Sequence, residues 1–268
     1  MSRPPRRSPQ DRSPAGAPAR AGAPSNERKA HRPRHPLVAV FAKAPEPGRV
    51  KTRLIPILRA GEAAELQTAL LLDTLDVVES CAEAVVAFAP AAGRRMLERL
   101  LGRSRRLLPQ GPGDLGERLA GVLGQLCSGE RPVLAVGSDC PGLTATRIRA
   151  AAAALGVADV VLGPTLDGGY YLVGLREPHS ELFEDIPWST AQVLEVTRSR
   201  AQAAGLKAEL LEPARDLDTP EDLYEWYAGS RSEEFASGYP RTWRLLHTIL
   251  PPRRFAALEE ALGTRPHR

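Results

Sequence analysis

Asp139 closes the run Val133-Leu134-Ala135-Val136-Gly137-Ser138, in which four apolar residues give way to small and polar ones. Such a run reads as a buried parallel strand, so Asp139 belongs at its carboxyl edge. Ligands of open α/β sheets collect beyond those edges, where a carboxylate can hold a divalent cation against phosphate oxygens. The competing role is a cap for a helix starting near Leu143 or Thr144. Two further acids, Asp216 and Asp218, precede the segment Thr219-Pro220-Glu221-Asp222. That segment reads as an N-cap, a first-turn proline and first-turn acids, which explains its own residues but leaves Asp216 and Asp218 to reach a metal.

Cations come from the segment Lys43 to Leu54, which follows the apolar run Leu37 to Ala42. Pro45, Pro47 and Gly48 exclude a helix there, so Lys43, Arg49, Lys51 and Arg53 are carried on a loop after a first strand. In a doubly wound sheet that position suits phosphate, with Lys as a point charge and Arg as a planar fork. The GxxxxGK[ST] pattern of a P-loop is absent. A second loop, Gln110 to Gly116, carries Gly111, Gly113, Asp114 and Gly116 into a helical pattern and could cradle a base or an anion. In a third, Asp167-Gly168-Gly169 leads into Tyr170 and Tyr171. It is either a bare hairpin turn or a place for a sugar or nucleoside to lie against a tyrosine. Trp188 can staple the following helix, with Ser189 or Thr190 as its N-cap.

The elements that must position these residues alternate. Strands are expected at Leu37 to Ala42, Ala84 to Phe88, Arg106 to Leu108, Val133 to Gly137, Asp159 to Pro164, after Tyr170 and at Leu206 to Leu211. Helical spacing lies between them, most clearly in Ala63, Leu66, Leu70, Leu71, Thr74, Leu75 and Val78. Alternation of this kind implies an α/β fold with a mostly parallel sheet flanked by helices, in a single domain over residues 37–228. Residues 229–268 read as a helical appendage of unknown role. Residues 1–36 read as a disordered tail rich in Pro, Arg and Ala.

Charge follows the same division. The chain carries a formal +4, yet residues 1–36 hold nine basic groups against two acids, and the other 232 residues hold 27 against 30. The basicity therefore belongs to the tail, and the folded body shows no nucleic-acid footprint. No apolar stretch is long enough for a membrane span, and the start has no secretory h-region. Cys81, Cys127 and Cys140 have no CxxC spacing, which points to a reduced cytoplasmic setting without structural zinc, with Cys140 as a small filler.

Six blocks in order, FAKAPEPGRVKTRL, QGPGDLGERL, VGSDCPGL, GPTLDGGYYLVGL, IPWST and DLDTPEDL, resemble the radical-SAM/selenodomain-associated transferase 1 family over about Leu37 to Tyr227. Members of that family are described as arsenosugar-biosynthesis-type glycosyltransferases with the glycosyltransferase-A fold of nucleotide-diphosphosugar transferases. More distantly, KTRL, SDxP and DxDTPEDL look like segments of 2-phospholactate and molybdenum-cofactor guanylyltransferases.

The resemblance implies that Asp139 and Asp218, with Asp216 beside them, hold Mg²⁺ or Mn²⁺. It also implies that Lys43, Lys51 and Arg53 face nucleotide phosphates and that Gly113, Asp114 and Gly116 form the base side. Asp167, Gly168, Gly169, Tyr170 and Trp188 would form the acceptor side. Ser138-Asp139-Cys140 has a single acid in place of Asp-x-Asp, so a metal site needs Asp216 or Asp218 within about 8 Å of Asp139. The expected function is transfer of a glycosyl group from a nucleotide sugar to a small acceptor, with Asp139, Lys51 and Asp167 as catalytic groups. Nucleotidyl transfer from a nucleoside triphosphate with release of pyrophosphate is the alternative that KTRL favours. An inactive nucleotide-binding module is the third reading.

Overall fold

The computed structural model describes Met1 and residues 35–229 and 233–263. The tail expectation for residues 1–36 thus falls almost entirely outside the described residues. Seven strands form one sheet: β1 (Leu37–Lys43), β2 (Glu83–Ala89), β3 (Arg106–Pro109), β4 (Val133–Gly137), β5 (Val160–Pro164), β6 (Tyr170–Leu175) and β7 (Ala208–Leu210). Their order is β3-β2-β1-β4-β6-β5-β7. Only β6 runs antiparallel to its neighbours, because the loop at Asp167 returns the chain as a hairpin and slots β6 between β5 and β4.

Both sheet faces are covered. On one side Val38, Val40, Val86, Leu134, Val136 and Leu172 pack against α1 (Ala60–Glu79), α2 (Arg94–Leu101) and α4 (Ala145–Ala154). On the other, Ala39, Val85, Val133, Leu162 and Val173 pack against α3 (Leu115–Leu126) and α5 (Val193–Ala203). The central strands are apolar on both faces, as strands between two helical layers must be. Among the described residues no helix is long and apolar enough to cross a membrane.

The segment after Tyr227 is more than an appendage. Helices α6 (Pro220–Gly229), α7 (Glu233–Gly238), α8 (Pro240–Ile249) and α9 (Pro252–Ala261) are the last elements among the described residues. Leu246, Ile249, Leu250 and Leu258 share a third core with Leu54, Leu58, Leu66 and Leu70. Buried charge fixes this layer. Asp73, fully buried in α1, accepts from Thr242 N (2.8 Å), Thr242 Oγ1 (2.9 Å) and Arg241 Nη1 (3.0 Å), so it receives the N-terminal turn of α8. Glu62, also in α1, takes both Nη atoms of Arg254 at 2.9 and 2.8 Å. The Arg254 hydrogen bond, with help from Arg59, pulls the Glu62 carboxyl down to about 2.

One element starts later than its sequence suggests. The helix expected from Ser189 or Thr190 begins at Val193, and its N-cap, Gln192, makes no side-chain cap. Ser189 sits in the left-handed region at φ 65° and breaks the helical path. Thr190 Oγ1 donates to Pro187 O (2.7 Å) and accepts from Gln192 N, which uses it in a turn ahead of the helix.

Replacing Asp73 with Ala strips the buried N–H and hydroxyl of Thr242 of their acceptor and leaves the Arg241 guanidinium to Asp76 alone. The variant should lose about 3 kcal/mol of stability, read as a lowered urea midpoint. An unchanged midpoint would mean that α8 is held by its apolar contacts alone.

Candidate functional site

Three segments meet where β1 and β4 leave the sheet side by side, Phe41 paired with Gly137. Asp139 extends β4 by two residues. It is not a helix cap: Thr144 caps α4, its side chain accepting from Arg147 N. The segment preceding α6 delivers Leu217, whose N–H donates to Asp139 O at 2.8 Å. From the loop after β1 comes Lys51, in the left-handed conformation at φ 49°. Its ammonium lies 2.6 Å from Leu217 O, 3.0 Å from Asp139 Oδ1 and 3.7 Å from Asp218 Oδ1.

The Lys51 side chain is 1% exposed, against 45% for Asp139 and 41% for Asp218. This corrects the expectation that Lys51 faces phosphate. Its ammonium lies beneath the two carboxylates and binds them together, and the left-handed backbone directs the side chain inward. Gln67 of α1, buried, adds a second support: its Nε2 donates to Ser138 Oγ at 3.0 Å, beside Asp139. Arg53 covers the outer side, with Nη1 3.1 Å from Asp218 Oδ2.

Above this base opens a cleft of about 820 Å³, and Lys43, Arg53, Asp139, Asp167, Gly169, Tyr170, Trp188, Asp216 and Asp218 all line it. Acids outnumber cations in it. Burial first, then the charges of Asp139 and Asp167, pushes the Asp216 carboxyl up to about 7, and Lys51 only partly offsets them. Asp167 Oδ1 accepts from Thr165 Oγ1 (2.5 Å) and Gly169 N (3.1 Å), which fixes the turn and occupies that oxygen. Gly168, at φ 89°, abuts the Ala191 backbone too closely for any side chain. Tyr170 and Trp188 meet edge to face with centroids 6.2 Å apart, forming one wall.

The glycine loop is placed differently from the acid cluster. Asp114 caps α3, accepting from Glu117 N (2.9 Å) while Glu117 accepts from Asp114 N (2.8 Å). Gly113 takes φ 92°, and Gly116 has no room for a Cβ beside Phe183 O. These residues are accounted for by the helix start; from this loop it is the neighbouring Leu115 that lines the cleft. Cys140 is the expected filler: burial pushes its thiol well above the ordinary range, and Sγ points to Arg215 O at 3.6 Å. Sequence reasoning missed Gln67, Arg215 and the cleft-facing role of Asp222. For Gln67 the available signal was a polar residue on the apolar face of α1.

Among the described residues no three His, Cys, Asp or Glu side chains converge into a ready metal cage. Asp139 and Asp218 are nevertheless oxygen donors joined through one ammonium, in a site with surplus negative charge. That donor chemistry suits a hard cation completed by substrate oxygens.

A curated relative, the 3-phospho-D-glycerate guanylyltransferase of Phenylobacterium zucineum (strain HLK1), is 31% identical over 208 residues, covering 72% of this chain and 93% of that protein. The chain belongs to the same family as this guanylyltransferase. Residues 74–190 match the family model described as uncharacterized protein conserved in bacteria (DUF2064). A solved structure of a nucleotide-diphospho-sugar transferase-like protein from Desulfovibrio desulfuricans G20 superposes with a TM-score of 0.75 at 29% identity, covering 85% of this chain and 97% of that one. The family fold is therefore the α/β sheet with helices on both faces described above, and its members are transferase-like.

Because folding raises the Asp216 pKa, the folded protein keeps a proton that the unfolded chain has released. This carboxyl therefore supports the fold at low pH, and its contribution is lost as pH rises to about 7 and beyond. In chelator-treated protein, Asp216→Asn should be more stable than the parent by about 1–2 kcal/mol at pH 8 and no different at pH 4. Urea melts at the two pH values check this; an equal effect at both would refute it.

Proposed function

We propose that the chain is a nucleotidyltransferase that joins the guanylyl part of GTP to the phosphate of a small phosphorylated acid and releases pyrophosphate. The observation that carries this reading is the pair Asp139 and Asp218, held together by buried Lys51 at the floor of the cleft. The guanylyltransferase relative supports the choice of reaction and of base.

An acceptor phosphate oxygen attacks the α-phosphorus, and the bond to the bridging oxygen of pyrophosphate breaks. The attacking group is already ionised at neutral pH, so the step needs no general base. That agrees with Asp167, one of whose oxygens is already engaged in its own turn. Lys43 and Arg53, at the loop side of the cleft, are placed to receive the departing negative charge. Asp139 and Asp218, with Asp216 alongside, are the residues to hold Mg²⁺ or Mn²⁺, which would screen the triphosphate and stabilise the leaving group. Lys51 acts from below by keeping the two carboxylates in place. Tyr170 and Trp188 offer an apolar wall to the acceptor or the nucleoside.

One observation favours a second reading. Asp216, with its carboxyl near 7, is poised as a base for a hydroxyl acceptor, as glycosyl transfer would require. The resemblance to arsenosugar-type glycosyltransferases and the likeness to the Desulfovibrio protein point the same way.

Purified protein incubated with Mn²⁺, 3-phosphoglycerate and either single nucleoside triphosphates or nucleotide sugars separates these readings. Pyrophosphate should appear with GTP, and Asp139→Asn should lower kcat by about 100-fold or more. Free nucleoside diphosphate from a nucleotide sugar would establish the second reading. Nucleotide binding without either product would leave a binding module.

A further inference from the structure

An acid-rich cleft that admits anionic substrates needs a cation for each anionic group it must recognise. Lys43 and Arg53 stand at the end of β1 and on the loop after it. A third cation, Arg215, lines the same cleft across the sheet, with β4 and β6 between. Its neighbour Ala214 bridges Thr165 at the end of β5, accepting from Leu166 N (3.2 Å) and donating to Pro164 O (3.0 Å). Arg215 is therefore carried beside the start of the Asp167-Gly168-Gly169 turn.

The guanidinium is aimed. Asp222 Oδ2 accepts from Thr219 Oγ1 (2.8 Å), Thr219 N (2.9 Å) and Asp218 N (3.2 Å), which leaves the carboxylate no freedom to turn. Its other oxygen, Oδ1, holds Arg215 Nη1 at 3.3 Å. Asp222 is thus both the first-turn acid of α6 and a strut for Arg215. The remaining donors of the fork, Nε and Nη2, have no partner among the described residues, and the side chain is 38% exposed toward the cleft. A planar fork held on one corner and open on the others is built for a bidentate oxyanion.

We propose that Arg215, braced by Asp222, binds the carboxylate of the acceptor and so selects phosphorylated carboxylic acids over phosphorylated alcohols. The inference rests on the nucleotidyl-transfer reading for the phosphate group of that acceptor. It adds a second anchor, carried on a different segment of the chain from Lys43 and Arg53. Two anchors fix the acceptor's direction, with its phosphate toward Asp139 and its carboxylate toward Arg215.

Calorimetric titration of 3-phosphoglycerate and of glycerol 3-phosphate into the full chain, with Mn²⁺ present, tests this without requiring turnover. The parent protein should bind the acid more tightly than the alcohol. Arg215→Gln should weaken the acid by about 10- to 100-fold while changing the alcohol less than about twofold. Arg215→Lys, which keeps the charge but not the fork, should retain part of the preference, and it decides the matter should the Gln variant fail to fold. Equal loss for both ligands, no loss for either, or no preference in the parent protein would overturn the proposal. Absence of pyrophosphate in the product assay would instead overturn the nucleotidyl reading, while the titration still reports on Arg215.

Discussion

A lysine ammonium shut away from water must be surrounded by acceptors, and at Lys51 the acceptors arrive from two other parts of the chain. Leu217 O, Asp139 Oδ1 and Asp218 Oδ1 enclose it, while Leu217 N binds Asp139 O. The loop after β1, the end of β4 and the segment ahead of α6 are joined at one point. Removing an acceptor would leave the buried ammonium short of a partner, and removing the ammonium would leave two half-exposed carboxylates repelling each other, so the arrangement is mutually enforced. The strained backbone of Lys51, at φ 49°, is the local cost of turning that side chain inward.

The rest of the architecture serves this junction. The parallel pairing of β1 with β4 brings their ends level, and α1 stands behind with Gln67 reaching Ser138. The C-terminal helices press on the outer side of α1, and Leu217, itself fully buried, belongs to the core they share. That third layer therefore bears on the site: it fixes the residue whose backbone touches both Lys51 and Asp139. Above the junction the acids exceed what one ammonium can balance, and burial, with the charges of Asp139 and Asp167 added to it, raises the Asp216 carboxyl. Surplus negative charge facing an open cleft is a standing attraction for cations and for the guanidinium groups of Arg53 and Arg215.

Much of this was legible in the amino-acid order. Apolar runs such as Leu37 to Ala42 and Val133 to Gly137 could only be buried strands, and the acids following them had to lie at strand ends. Asp139 and Asp218, singled out through the ordered motif blocks, both reach the Lys51 ammonium. The inward turn of Lys51 was not legible, because a basic residue in a proline-rich loop after a strand reads as a phosphate contact until its tertiary acceptors are known. The insertion of β6 between β4 and β5 was hidden for a related reason: hairpin chemistry at Asp167-Gly168-Gly169 sets the antiparallel direction but not which neighbour the strand joins. Asp222 was fully explained by the helix start, and a residue that already has one role gives no sequence signal of a second. Ser189 escaped because a left-handed serine has no marker in its type.

The account stands on Lys51 as an internal tie rather than a phosphate contact, and the stability of ligand-free Lys51→Met protein tests that most directly. A methionine of similar length fills the space but leaves Asp139 and Asp218 facing each other and Leu217 O without its donor. The urea midpoint at pH 8, with chelator present, should then fall by an amount equivalent to about 2–4 kcal/mol. A variant as stable as the parent, or more so, and impaired only in nucleotide binding, would place Lys51 among the substrate contacts and contradict the account.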